Sequence, residues 1–186
     1  GVTSFLVLDG SGVQTFSVQQ LVVPSNDLCP GATTLPIGVP VVGTTVGALV
    51  NTACGQGPDV FYRVTSTDGG TFRATASANG SSDAGGFVVT PGAPTCDSTS
   101  FVCQYSWWSS GTTFRLPPGG SASLAVASWS EGSFQVVAQP VTPPVNDQCS
   151  TPTVLTVGTP VAVDTTNSVD DLPAAGTDGG VVFCGT

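Results

Sequence analysis

The sequence contains no lysine, no histidine and no methionine, and its only cations are Arg63, Arg73 and Arg115. Charged residues make up 8% of the 186 positions, against about 25% in an ordinary globular protein. Twelve acids against three arginines leave a net charge of −9. A chain this acidic cannot neutralise phosphates, which excludes nucleic acid as a partner, and anionic membrane surfaces repel it. Without histidine there is no Ser-His or Cys-His nucleophile pair, and there is no lysine to replace it. Glu131 is the sole glutamate, in a Glu131-Gly132 pair that reads as a hairpin turn. The paired carboxylates of a glycosidase are therefore lacking. Neither a GxGxxG nor a P-loop pattern occurs. These gaps predict a non-enzyme without a cofactor. No apolar run approaches the ~18–20 residues that span a bilayer, so no membrane insertion is expected. A chain with neither leader nor initiator methionine reads as a processed product or a piece of a longer one.

What is present is punctuation and short β-branched runs. Twenty-four glycines and 15 prolines interrupt the chain too often for long helices. Between them lie Phe5-Leu6-Val7-Leu8, Phe16-Ser17-Val18, Val60-Phe61-Tyr62-Arg63-Val64, Thr71-Phe72-Arg73-Ala74-Thr75, Phe87-Val88-Val89, Leu124-Ala125-Val126-Ala127 and Phe134-Gln135-Val136-Val137. Several alternate apolar and polar, the period of a half-buried strand. Turn signals at such spacing predict an all-β sandwich.

The chain also repeats itself. Asn26-Asp27-Leu28-Cys29 returns as Asn146-Asp147-Gln148-Cys149, and Gly38, Pro40 and Val41 return at Gly158, Pro160 and Val161, all 120 residues on. Thr44-Thr45 resembles Thr165-Thr166, one residue out of that register, and Cys54-Gly55 resembles Cys184-Gly185 after a longer loop. Upstream, Ser4–Leu8 resembles Ser123–Ala127, and Thr15-Phe16-Ser17-Val18 resembles Ser133-Phe134-Gln135-Val136. The reading is a tail, 1–25, of one module; a whole module, 26–140; a proline-rich linker, 141–145; and the head of a further module, 146–186. Long-period self-similarity of this kind marks an array.

The NDxCxxAxxL opening, a second cysteine, Asp59-Val60-Phe61-Tyr62 and a closing Ser-Phe-Gln-Val-Val strand resemble a known β-sandwich repeat. It occurs in large secreted and surface proteins of bacteria and of stramenopile algae. The pattern is also similar to the pre-peptidase C-terminal domains appended to secreted enzymes. The resemblance implies a jelly-roll-like sandwich, an extracellular location and no catalysis by the module itself. Some pre-peptidase-like domains bind calcium, but no ligand set matches here residue by residue.

Six cysteines with neither a CxxC pair nor histidine predict disulfides in an oxidising compartment rather than zinc. Six cysteines allow 15 connectivities. The repeat selects Cys29–Cys54 and Cys149–Cys184, leaving Cys96–Cys103 as a local staple. Asn79-Gly80-Ser81 is a sequon, usable where the source cell has the machinery, and its Gly/Ser surroundings predict an exposed loop. Asn26-Asp27 and Asn146-Asp147 are read as turn formers, bonding backbone two residues on, with calcium ligation the competing role. Asp170, Asp171 and Asp178 form an acidic loop and are the other calcium candidates. Trp107-Trp108 places one indole inward and one outward if it lies in a strand. The outward ring suits packing, an interface or a sugar.

These observations predict a structural segment of an extracellular fibre or surface appendage, built from disulfide-stapled modules joined head to tail by strand addition between copies. The competing reading is an adhesin or carbohydrate-binding module of a larger secreted protein, with glycans as partners.

Overall fold

A computed structural model of the protein describes residues 13, 15, 21–52, 57–78, 87–93, 95–96, 101 and 111–169. The expected all-β architecture is what forms. Among these residues eight strands run β1 (Thr33–Thr34), β2 (Val41–Thr44), β3 (Asp59–Thr65), β4 (Gly70–Ala78), β5 (Val88–Gly92), β6 (Gly111–Leu116), β7 (Ser121–Ala127) and β8 (Ser133–Pro140). They make two four-stranded sheets, ordered β1-β3-β7-β5 and β2-β8-β4-β6. Successive strands among the described residues alternate between the sheets, so each such connection crosses the sandwich. Glu131-Gly132 therefore lies in an arch between β7 and β8, not in the hairpin the sequence suggested. There the Glu131 carboxylate accepts the Gly47 N–H at 3.2 Å.

The strands form where the side-chain period suits the layers. In β6 the burial alternates, with Thr112, Phe114 and Leu116 facing inward. β8 does the same with Phe134, Val136 and Ala138. These residues meet Val60, Tyr62, Val64, Leu124 and Val126 from the opposite sheet in one core, closed by Leu35. β3 and β7 are buried on both faces. Their second face carries Phe61 and Ala125, which pack with Cys29 and Phe101 in a smaller cluster. Phe61 and Phe101 meet edge to face at 5.5 Å. Pro91 sits in β5, an edge strand, the place in a sheet where proline is tolerated.

The disulfide of this module joins Cys29 to Cys96, across 67 residues. This corrects both Cys29–Cys54 and Cys96–Cys103. Cys29 sits in a 3₁₀ turn, Cys29–Gly31, against the outer face of β3, and the chain after β5 returns over that same face. The bridge ties the module's opening turn to that covering segment. Cys149 is also disulfide-bonded, while Cys54, Cys103 and Cys184 lie outside the described residues.

Candidate interaction surface

The opening Asn-Asp works through long-range bonds. The Asp27 N–H donates to Pro24 O at 3.0 Å, closing a turn. Its Oδ1 then accepts the Leu49 N–H at 2.6 Å, 22 residues on. Asn26 exchanges two bonds with Phe61 of β3: its Nδ2 donates to the Phe61 carbonyl at 3.0 Å, and its carbonyl accepts the Phe61 N–H at 2.8 Å. Asp59, fully buried, accepts from the N–H groups of Asn51 and Thr52 and from the Thr52 hydroxyl, the last at 2.8 Å. The two aspartates thus fix the segment between β2 and β3. The local turn expected for Asn26-Asp27 is only part of their role, because the side chains reach 22 and 35 residues away.

The same bonds recur 120 residues later. Asp147 N–H donates to Pro144 O at 3.1 Å, and Asp147 Oδ1 accepts Val169 N–H at 2.9 Å. Thr151 N–H donates to Gln148 O as Gly31 does to Leu28, and Thr159 to Thr156 as Val39 to Pro36. Val46 N–H bonds the Thr44 hydroxyl, and Thr166 N–H bonds the Asp164 carboxylate in its place. Ala48 N–H bonds Thr45 O, and Ser168 bonds Thr165 O. Gly47 has φ +77° and its counterpart Asn167 has φ 62°. Asparagine is the side chain that best tolerates this region after glycine. Thr45 therefore matches Thr165, correcting the one-residue slip that residue identities suggested.

What differs is burial. Leu35 is 1% exposed, its N–H bonded to Arg63 O of β3, whereas Leu155 is 72% exposed. Thr45 is buried and bonded to Gly132, whereas Thr165 is exposed. Cys29 is buried and Cys149 exposed. Val157 and Val161 are open to solvent, whereas their counterparts Ile37 and Val41 pack against the core. The module covers the first set with β3 and β8; among the described residues nothing covers the second. An open groove of about 750 Å³ results, lined in part by Arg115, Asp147, Leu155, Val163 and Val169. Arg115, projecting from β6, holds the opening turn of this segment through its guanidinium, 2.8 Å from Asp147 Oδ2. Sequence reasoning missed Arg115 and the Leu35/Leu155 pair. The common offset of 120 was the signal that would have found the pair.

A second difference concerns one side chain. A Cβ on Gly43 would collide with the Tyr62 hydroxyl and the Phe134 ring. The counterpart of Gly43 is Val163. Burial pushes the Tyr62 hydroxyl above its ordinary range, a hydrogen bond with Asn26 pulling the other way.

Asn79, Trp107, Trp108, Asp170, Asp171 and Asp178 lie outside the described residues. Among the described residues no three His, Cys, Asp or Glu side chains converge as metal ligands, and no helix is long and apolar enough to cross a membrane.

No family model matches the sequence, and no curated protein does. Solved structures offer loose likenesses. One is the pre-peptidase C-terminal domain of collagenase from Bacillus anthracis, at 11% identity and TM-score 0.40, covering 57% of this chain and 93% of that one. Another is PliG, a periplasmic inhibitor of g-type lysozyme from Aeromonas hydrophila, at 15% identity and TM-score 0.36, covering 58% and 97%. A third is the CBM35 of Abf62 from Cellvibrio japonicus, at 16% identity and TM-score 0.23, covering 54% and 81%.

Proposed function

We propose that this chain is a structural segment of an extracellular fibre or surface appendage, built from disulfide-stapled β-sandwich modules that associate head to tail. The observation that carries this reading is the segment 144–169. It repeats the opening hydrogen bonds of the module at an offset of 120 while exposing Leu155, Val157 and Val161, whose counterparts Leu35, Ile37 and Val41 pack into the module's core. Burying three or four such side chains contributes roughly 5–10 kcal/mol gross. That is the same order as the freedom lost on association, about 4–15 kcal/mol. Apolar contact alone does not secure the joint, so main-chain pairing must supply the surplus, which favours strand addition over a simple patch. The Cys29–Cys96 bridge and the bonded Cys149 support an oxidising, extracellular setting.

The test is sedimentation velocity across a concentration series, with negative-stain microscopy of the same samples. Growth of the sedimenting species into rods is the expected result. A single monomeric species over the whole range would overturn the reading. Leu155→Asp should suppress growth while leaving the circular dichroism spectrum of the monomer unchanged.

A further inference from the structure

Resting on that reading, we infer which strand covers the open segment and in what register: residues Thr15–Val18 of a second copy pair antiparallel with Val161–Asp164. In the module, β2 pairs antiparallel with β8, with Val41 opposite Val136, Val42 opposite Gln135, Gly43 opposite Phe134 and Thr44 opposite Ser133. The sequence carries a second β2-type segment, Val161–Asp164, and a second β8-type segment, Thr15-Phe16-Ser17-Val18. Superposing each on its counterpart sets Val161 opposite Val18, Ala162 opposite Ser17, Val163 opposite Phe16 and Asp164 opposite Thr15.

Val163 adds an argument about the occupant. Gly43 leaves room for the Tyr62 hydroxyl of β3 beside the Phe134 ring. A side chain there meets the Phe134 ring as well as the Tyr62 hydroxyl, so a unit that covers Val163 lacks the phenol and turns its phenylalanine ring aside. Residues 1–25 fit: they contain Phe16 in the β8 position, a β7-type run at Phe5–Leu8, and no tyrosine. The composite sandwich is therefore smaller than the complete module, with the valine side chain in place of the phenol.

The outward pair gives the test. Val42 and Gln135 both face solvent, and Ala162 is exposed. Opposed Cα atoms lie about 5 Å apart across an antiparallel pair, within the reach of a disulfide. Chains carrying Ser17→Cys are mixed with separate chains carrying Ala162→Cys under a mild oxidant, so that no bridge within one chain can form between the new thiols. A dimer whose digest links position 17 to position 162, with none above background when Thr159→Cys replaces Ala162→Cys, is the expected result. Polymer formation without the 17–162 link overturns the register and leaves the fibre reading standing. A monomer with no link overturns both. Independently, a peptide spanning residues 13–20 should shorten the polymers, and the same peptide with Phe16→Asp should not; equal lengths with both would also overturn the assignment.

Discussion

Residues 24–50 and 144–169 make the same turns with donors and acceptors at matching positions, and they differ in what lies across from them. In the first stretch Leu35, Thr45 and Cys29 are sealed by β3 and β8; in the second Leu155, Thr165 and Cys149 face water. The local geometry follows from local residues: an aspartate that caps an amide 22 positions on, a proline carbonyl that closes the turn, and a glycine or asparagine at positive φ. Burial depends on strands the local residues do not contain. The first property travels with the sequence, and the second does not.

Mutations can break this comparison, and the largest effect should come from the bridge. Removing Cys29–Cys96 with paired serines opens a loop of 67 residues, worth about 4 kcal/mol in the chain-entropy model. Urea unfolding should report that loss, whereas Cys149→Ser should leave the module's midpoint in place. Leu35→Ala comes next. It should cost about 3 kcal/mol by cavity formation, and Leu155→Ala in the monomer should stay within about 0.5 kcal/mol. Equal losses at the two leucines would mean that the second stretch is already covered in the monomer.

Smaller effects sharpen the comparison. Asp27→Ala strands the Leu49 amide and should cost the module about 1–3 kcal/mol. Asp147→Ala should release residues 144–169, seen as faster amide exchange at Val169, with the module's unfolding unchanged. Tyr62 carries a pH dependence. Its folded value lies above the ordinary 10.0, so the unfolded chain loses its proton first. Stability present below about pH 10 is lost as pH rises through the folded value. Tyr62→Phe should flatten that fall in thermal melts. The smallest effect belongs to Asp164, which stands where the module has Thr44. Bonds from the Thr166 hydroxyl and N–H lower its value below 3.8. That turn should weaken as pH falls through the lowered value, shifting the Thr166 amide resonance while the Val46 amide stays fixed.

Part of the fold was legible in the sequence. β4 and β8 alternate cleanly, and β3, β5 and β7 stand out as β-branched or apolar runs. β1, β2 and β6 were harder, being short or opened by small polar residues. The double burial of β3 and β7 depends on Phe101 and Cys96, which reach that face from the connection after β5. The disulfide was misread for a related reason. A repeat shows which residues occupy equivalent places, and it does not show what sits across from them. Cys29 and Cys149 are equivalent, but the partner of Cys29 comes from a different connection. The candidate surface was half visible: the offset of 120 aligns Leu155 with Leu35, and only the fold reveals that one is sealed and the other open.

The alternation of strands between sheets bears on how the protein is made. Among the described residues no two strands consecutive in sequence pair with each other, so none of these strands joins its neighbour in an early hairpin. β8, the last of these strands in the chain, sits between β2 and β4. During vectorial synthesis the sheet β2-β8-β4-β6 cannot close until residue 140 has emerged, and folding dominated by such distant pairings is slow. Throughout that interval β2 and β4 present a vacant slot shaped for a β8-type strand. The rate at which a chain fills the slot with its own Ser133–Pro140 sets how long it stays open to a strand from elsewhere.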